Sequence, residues 1–77
     1  MNETKISIET VAARLEKALQ CDVGMAGVEV LLHGFVRKGF LSRDTMRQRK
    51  QRDGYLWFNP YELENFSRYA GYDLSRD

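Results

Sequence analysis

Apolar residues recur every three or four positions in the first part of the chain, at Ile8, Val11, Ala12, Leu15, Ala18 and Leu19. This spacing predicts an amphipathic helix over residues 8–20, because such positions share one face of a helix. Ser7 suits the N-cap, and Glu9 lies in the first turn, where the helix dipole favours an anion. A short extended segment over residues 5–8 is an alternative start for this region.

A second apolar stripe follows at Val28, Leu31, Leu32, Phe35 and Val36. It predicts a helix over residues 27–38 that ends at Gly39, a residue suited to a left-handed cap. Two glycines and an aspartate among residues 21–27 predict a turn between the two helices. Gly34 lies inside the second helix, where glycine costs about 1 kcal/mol relative to alanine. We therefore expect it to allow close packing against another backbone.

Residues 40–58 admit two interpretations. The stretches 40–43 and 54–58 are rich in apolar and aromatic residues, which is typical of strands, and an Asp-Gly turn signal would join them into a β-hairpin. The residues between these stretches favour helix over strand, however. Ser42 is therefore an alternative N-cap for a short helix that ends at Gly54. Both interpretations leave the arginines of this segment exposed.

The last predicted helix covers residues 60–70. Asn59 suits its N-cap, Pro60 its first position, and Glu62 the third position of a capping box. Its apolar side is formed by Leu63, Phe66 and Ala70, with Tyr69 beside them. The order helix, turn, helix, hairpin or basic segment, helix predicts a single small α+β domain over residues 1–77.

Positive charge is concentrated between residues 37 and 52. This segment holds one acid, Asp44, and seven basic residues: Arg37, Lys38, Arg43, Arg47, Arg49, Lys50 and Arg52. The whole chain carries a net charge of only +1. Such a patch repels itself and usually serves an anionic partner, and phosphates release counterions when they bind Lys and Arg. Nucleic acid is therefore the leading candidate partner. The alternative is that the segment is a solvated loop that binds no partner.

The composition narrows the class of protein. With 77 residues and 43% hydrophobic content, the chain suits one small domain and is too apolar for a disordered segment. Cys21 and His33 are the single residues of their types, too few for a disulfide or an ordinary metal site, so we expect no cofactor. We find no constellation typical of catalysis and expect no enzyme activity. No apolar run is long enough to span a membrane and no signal-peptide pattern is present, which favours a cytoplasmic protein.

Three stretches together resemble winged helix-turn-helix DNA-binding domains: ISIETVAARLEKAL (residues 6–19), VEVLLHGFVRKGFLSR (residues 28–43) and GYLWFNP (residues 54–60). The resemblance implies a winged-helix-like α+β fold in which the second helix enters the major groove and the hairpin of residues 40–58 is the wing. Three features depart from that family. The usual helix before the first one is missing, and the helix of residues 60–70 would fill its place. The turn of residues 21–27 is long. The exposed face of the second helix is a poor recognition face, because only His33 and Arg37 are good DNA contacts and Glu29 repels phosphate.

The stretches LSRDTM (residues 41–46) and DGYLWFNPYELENF (residues 53–66) are also similar to excisionase and MerR-like domains. In those domains a Ser-Arg-x-Thr sequence starts the recognition helix. The similarity implies a recognition helix over residues 44–52 that carries Arg47, Arg49, Lys50 and Arg52. This arrangement repairs the poor recognition face, but it leaves no room for the first strand of a wing.

These observations predict a small DNA-binding protein, either a transcriptional regulator or an excisionase-like accessory factor, that binds duplex DNA mainly through residues 37–52. The predicted contacts are His33, Arg37, Lys38, Arg43, Arg47, Arg49, Lys50 and Arg52. A homodimer through the helix of residues 60–70, with Phe66 and Tyr69 at its interface, would suit two half-sites. The alternative is a protein-interaction module, such as a phage- or plasmid-encoded adaptor or inhibitor. Its basic patch would meet an acidic protein surface or a nucleic-acid channel of a host complex.

Overall fold

The computed structural model describes residues 4–75, which form four helices and two short strands. The elements are β1 (Ile6–Ser7), α1 (Ile8–Leu19), α2 (Gly24–Arg37), α3 (Arg43–Asp53), β2 (Trp57–Phe58) and α4 (Pro60–Ala70). The predicted α+β class is confirmed, and most of the described chain is helical. The end residues 1–3 and 76–77 of the predicted domain lie outside the described residues.

The sheet joins two strands that are far apart in the sequence. Ile6 pairs with Phe58 and Ser7 with Trp57 in antiparallel register. The extended segment proposed over residues 5–8 is therefore confirmed at Ile6 and Ser7, and the predicted helix still begins at Ile8 with Ser7 as its N-cap. The pairing holds the residues before α1 against the residues before α4.

The prediction of a hairpin within residues 40–58 is wrong. The structure has the alternative, a short helix, which is α3. Local chemistry explains the outcome. The Ser42 hydroxyl accepts a hydrogen bond from the Thr45 backbone N–H at 3.0 Å, which caps the first turn. Gly54 ends the helix with a φ of +80°, a conformation that glycine adopts without strain. The residues between these caps favour helix, and β2 finds its partner elsewhere.

The turn predicted over residues 21–27 is shorter than expected, because α2 begins at Gly24. Val23 occupies the N-cap and has no side-chain acceptor for the free N–H groups of the first turn. Glu16 of α1 supplies the missing acceptor. Its Oε2 accepts hydrogen bonds from the backbone N–H groups of Val23 at 3.0 Å and Gly24 at 3.1 Å. These two donors hold the pKa of Glu16 below its ordinary value.

The four residues between α1 and α2 turn the chain sharply, and the two helices meet at a bend of 100°. Gln20 makes this turn possible, because it adopts a left-handed conformation with a φ of +57°. Within residues 4–75, no single helix is long and apolar enough to cross a membrane.

The core is built from the apolar stripes of α1, α2 and α4. Its fully buried side chains include Phe35, Phe58, Phe66, Leu15, Leu63, Leu74, Val11 and Val28. Phe35 lies among the other aromatic rings, with centroids 5.2 Å from Phe66 and 5.8 Å from Tyr69. Leu74 is held in place by two polar contacts, because Ser67 Oγ accepts from its N–H and Arg14 donates to its carbonyl, each at 3.0 Å.

Gly34 allows the predicted close approach, although the neighbour is a side chain rather than a backbone. A Cβ at this position would lie 3.1 Å from Tyr69 Cζ and would collide with the Tyr69 hydroxyl. Tyr69 belongs to α4, so the glycine lets α2 and α4 pack closely. The range predicted for α4 is confirmed, and its capping box forms between Asn59 and Glu62.

Candidate nucleic-acid interface

α3 is attached to the domain through polar groups arranged around Trp57. The indole of Trp57 is only 5% exposed, and its Nε1–H donates to Asp53 Oδ2 at 2.7 Å. The Arg49 guanidinium lies 4.1 Å from the ring centroid, and Lys5 Nζ lies 5.1 Å from it. Both distances suit cation–π attraction. We call the set of Lys5, Arg49, Asp53, Trp57 and Glu62 the Trp57 cluster.

Arg49 is the strongest link in the Trp57 cluster. Its Nη1 and Nη2 donate to Glu62 Oε1 at 2.6 Å and to Oε2 at 2.9 Å, a bidentate geometry that strengthens an ion pair. Nη1 also donates to the Trp57 carbonyl at 2.9 Å. Each side chain of the pair is 14% exposed. Since Glu62 also accepts from the Asn59 N–H, this pair fastens α3 to the first turn of α4.

The DNA contact of Arg49 stays a prediction, but in the folded domain this side chain is already engaged within the protein. Its guanidinium faces inward, because the helical position of Arg49 places it on the side of α3 that packs against Trp57. Three of its five N–H donors already bind acceptors inside the domain, two on Glu62 and one at the Trp57 carbonyl.

Asp53 completes the attachment at the last turn of α3. Its pKa is held below the ordinary value, first by the hydrogen bond from Trp57, then by Lys5, while burial acts in the opposite direction. Lys5 Nζ lies 3.4 Å from Asp53 Oδ1. The carboxylate is thus charged at neutral pH and ties the residue before β1 to the end of α3.

Unlike Arg49, the other cations Arg43, Arg47 and Lys50 are all exposed. They recur at i, i+4 and i+7, so they form one stripe along α3. Arg52 is also exposed, but its position places it on the other flank of the helix. The Asp44 carboxylate is 3.8 Å from Arg47, and both side chains are largely solvated, so this pair neutralises little of the stripe.

The cationic stripe borders a groove of about 560 Å³ between α2 and α3. Its lining residues are Glu29, Leu32, His33, Val36, Arg43, Met46, Arg47, Lys50 and Leu56. The floor is aliphatic, because Leu32 is buried and Val36, Met46 and Leu56 are half-buried. One wall carries the cations of α3, and the other carries His33 and Glu29 of α2.

The remaining predicted site residues lie outside the groove. Arg37 and Lys38 are exposed at the C-terminal end of α2, and the groove lining does not include them. Phe66 is 0% exposed, so the prediction that it lies on an exposed dimer face is wrong. Its position on the apolar stripe of α4 directs it into the core beside Phe35. Tyr69 is half-buried against the same ring, and the homodimer itself stays a prediction.

The contacts that position α3 could hardly be predicted from the sequence. Glu62 was expected in the capping box, which it forms, but its pairing with Arg49 joins residues that no local pattern connects. Asp53 was expected in a turn, and Trp57 was one of many aromatic residues. The spacing of Arg49, Asp53 and Trp57 at successive intervals of four is the one regularity that was available.

Within residues 4–75, no group of three or more His, Cys, Asp or Glu side chains is placed to hold a metal ion. Comparison of the chain with protein-family models, curated proteins and solved structures finds no match. The arrangement of the described residues must therefore carry any functional argument.

Proposed function

We propose that this protein binds duplex DNA and that α3 supplies most of the phosphate contacts. The observation that carries the proposal is the exposed stripe of Arg43, Arg47 and Lys50 on a helix whose opposite side is fixed by the Trp57 cluster. Three aligned cations without buried partners repel one another, so an anionic partner relieves a cost that the free protein carries. Phosphates at the surface of a duplex meet this requirement, with counterion release as the driving force.

The geometry of α1 and α2 supports the same proposal. A bend of 100° across a four-residue connection is typical of a helix-turn-helix unit. In that unit α2 is the helix that reads bases, and its exposed His33 and Arg37 are suited to that task. We propose that their contribution to sequence reading is modest, because Glu29 shares the exposed face of α2.

Of the two resemblances, the excisionase and MerR-like one fits this division of labour better. It implied a recognition helix over residues 44–52, and α3 covers that range with one further residue at each end. The winged-helix resemblance implied a hairpin there. We extend the proposal to a role as a transcriptional regulator or as an excisionase-like accessory factor inside the cell.

The experiment that tests the proposal is fluorescence anisotropy with a short mixed-sequence duplex at low and moderate salt. The test variant is Arg47→Glu with Lys50→Glu. The matched control is Lys17→Glu with Arg68→Glu, which changes the net charge equally at exposed positions outside α3. We expect the test variant to lose at least about tenfold in affinity and the control to lose far less, because only the former removes phosphate contacts.

Equal losses in both double variants would mean that the duplex senses only the net charge of the protein. A wild-type protein that fails to bind duplex DNA at low salt would contradict the proposal outright. Circular dichroism of each variant separates loss of binding from loss of the fold.

A further inference from the structure

The groove between α2 and α3 has features that phosphate binding does not use. We propose that it binds an acidic, amphipathic helix of a partner protein. The proposal stands on the aliphatic floor and the two walls of the groove, and it does not rest on DNA binding.

The two walls share one spacing. The α2 wall is formed by Glu29, Leu32, His33 and Val36, and the α3 wall by Arg43, Met46, Arg47 and Lys50. Each set occupies positions i, i+3, i+4 and i+7, so each wall is one helix face of two turns, about 10 Å long. A groove lined by two such faces presents its side chains at the spacing by which a third helix presents its own i, i+3, i+4 and i+7 side chains.

The floor defines the side chains that enter. Val36, Met46 and Leu56 are half-buried aliphatic residues around the buried Leu32, so the floor favours apolar anchors. The groove holds about 560 Å³, which lies within the common range for binding sites of roughly 300–1,000 Å³. Among the described residues its lining contains no Phe, Tyr or Trp, and the imidazole of His33 is its one ring, so it offers little surface for stacking unpaired nucleobases.

The charges define the edge of the ligand. Arg43, Arg47 and Lys50 run along the α3 side, so the helix that binds carries Asp or Glu on that edge. Glu29 lies on the α2 side and repels acids there, which favours one orientation of the ligand about its own axis. The rim cations are also those that we assign to phosphate, so the acidic helix and duplex DNA exclude each other from this surface.

The probe is a fluorescein-labelled synthetic peptide of about 14 residues, roughly four helical turns. It carries Leu at i, i+3, i+4 and i+7 and Glu along one edge of that stripe. Two control peptides keep the length. One has the same composition in an order that breaks the stripe, and the other replaces each Glu by Gln. Binding to the whole protein is measured by anisotropy, and the site is mapped by chemical-shift changes in the ¹⁵N-labelled protein.

Two variants change the groove, and a third changes a cation outside it. Met46→Gln makes the floor polar, and His33→Glu places an acid on the exposed wall without touching the core. Each should weaken peptide binding at least about tenfold, the change expected from losing an anchor or from like-charge repulsion. Arg52→Glu is the matched control on the other flank of α3. It should reduce DNA affinity and leave peptide affinity within about twofold.

The expected result is stripe-dependent peptide binding, lost with the Gln peptide and in the two groove variants, with shift changes confined to residues 29–36, residues 43–50 and Leu56. The inference is overturned if no peptide binds below about 1 mM. It is also overturned if the peptide with the broken stripe binds equally well, or if Met46→Gln and His33→Glu both bind like the wild type. None of these failures alters the Arg47 and Lys50 test of DNA binding.

Discussion

α3 and α4 are two helices of the same length that are attached to the domain in opposite ways. Each has 11 residues, a side-chain N-cap and a left-handed glycine at its end. α4 buries Leu63, Phe66 and Ser67, whereas none of the residues of α3 is buried in the described part of the chain. α3 is instead held by Met46, which packs at the edge of the core, and by the Trp57 cluster.

This difference shows that caps determine the bounds of a helix, whereas burial determines how firmly the helix is attached to the domain. The caps fix where both helices begin and end, because each satisfies backbone groups that the helix leaves free. Burial decides how firmly each helix is held. α4 belongs to the core, whereas α3 is held at one side by polar contacts and leaves four of its five cations exposed. The helix that adds least to the core is therefore the one that we assign to function.

Among the variants that test this difference between α3 and α4, we expect the largest loss of stability in α4. Phe66→Ala removes a fully buried ring that contacts Phe35 and Phe58. We expect it to lower the free energy of unfolding by about 3–5 kcal/mol, through lost burial and the cavity left behind. Gln51→Ala on the exposed side of α3 is the control and should change it by less than about 0.5 kcal/mol. Urea denaturation measures both, and similar losses would contradict the assignment of the core.

The next effect lies in the attachment of α3. Arg49→Met breaks the bidentate pair with Glu62, and we expect a loss of about 1.5–3 kcal/mol, the usual range for hydrogen bonds to charged groups. Arg49→Lys should recover only part of this, because an ammonium group cannot make the bidentate contact. Arg47→Met is the matched control at an exposed position, and its stability should stay within about 0.5 kcal/mol of the wild type. Equal stability of the Arg49 and Arg47 variants in urea would show that the inward pair does not anchor α3.

A smaller effect tests how closely α4 packs against α2. Gly34→Ala gains about 1 kcal/mol of helix propensity, but the new methyl group collides with Tyr69. Because overpacking costs about 1–3 kcal/mol, we expect a net loss near 1 kcal/mol. Gln48→Ala, at an exposed position of α3, should show no such loss. A Gly34→Ala protein that is more stable than the wild type to heat would mean that Tyr69 moves aside freely.

The smallest effect concerns pH. The pKa of Asp53 is lower in the folded protein than its ordinary value of 3.8. The stability that it contributes is therefore fully present above that value and is lost as the pH falls through the folded pKa. Asp53→Asn removes this contribution, so the melting temperatures of the wild type and the variant should converge as the pH falls below 3.8. A difference that stays constant from neutral to acidic pH would contradict the charged hydrogen bond to Trp57.

The comparison also explains what the sequence could predict. The range of α4 follows from Asn59, Pro60 and Gly71 together with a clear apolar stripe, so local signals were sufficient. α3 has equally good caps in Ser42 and Gly54 but no apolar stripe, so a hairpin remained a competing interpretation. Helical periodicity predicts burial, and a helix that buries nothing gives no such pattern.

The parts that could not be predicted depend on contacts between distant residues. The pairing of β1 with β2 and the cap that Glu16 gives α2 both join segments that no local pattern connects. For the same reason, all seven cations of residues 37–52 looked alike in the sequence. Only the packing of α3 on Trp57 distinguishes the inward Arg49 from the exposed Arg47 and Lys50.

The central claim is that exposed cations of α3 neutralise phosphates, and the salt dependence of duplex binding tests it most directly. The logarithm of the affinity should fall steeply with the logarithm of salt concentration in the wild type, by about 0.9 for each phosphate neutralised. In Lys50→Gln the slope should become shallower by about 0.9, with the fold intact. A slope near zero in the wild type, or the same slope in both proteins, would contradict the claim.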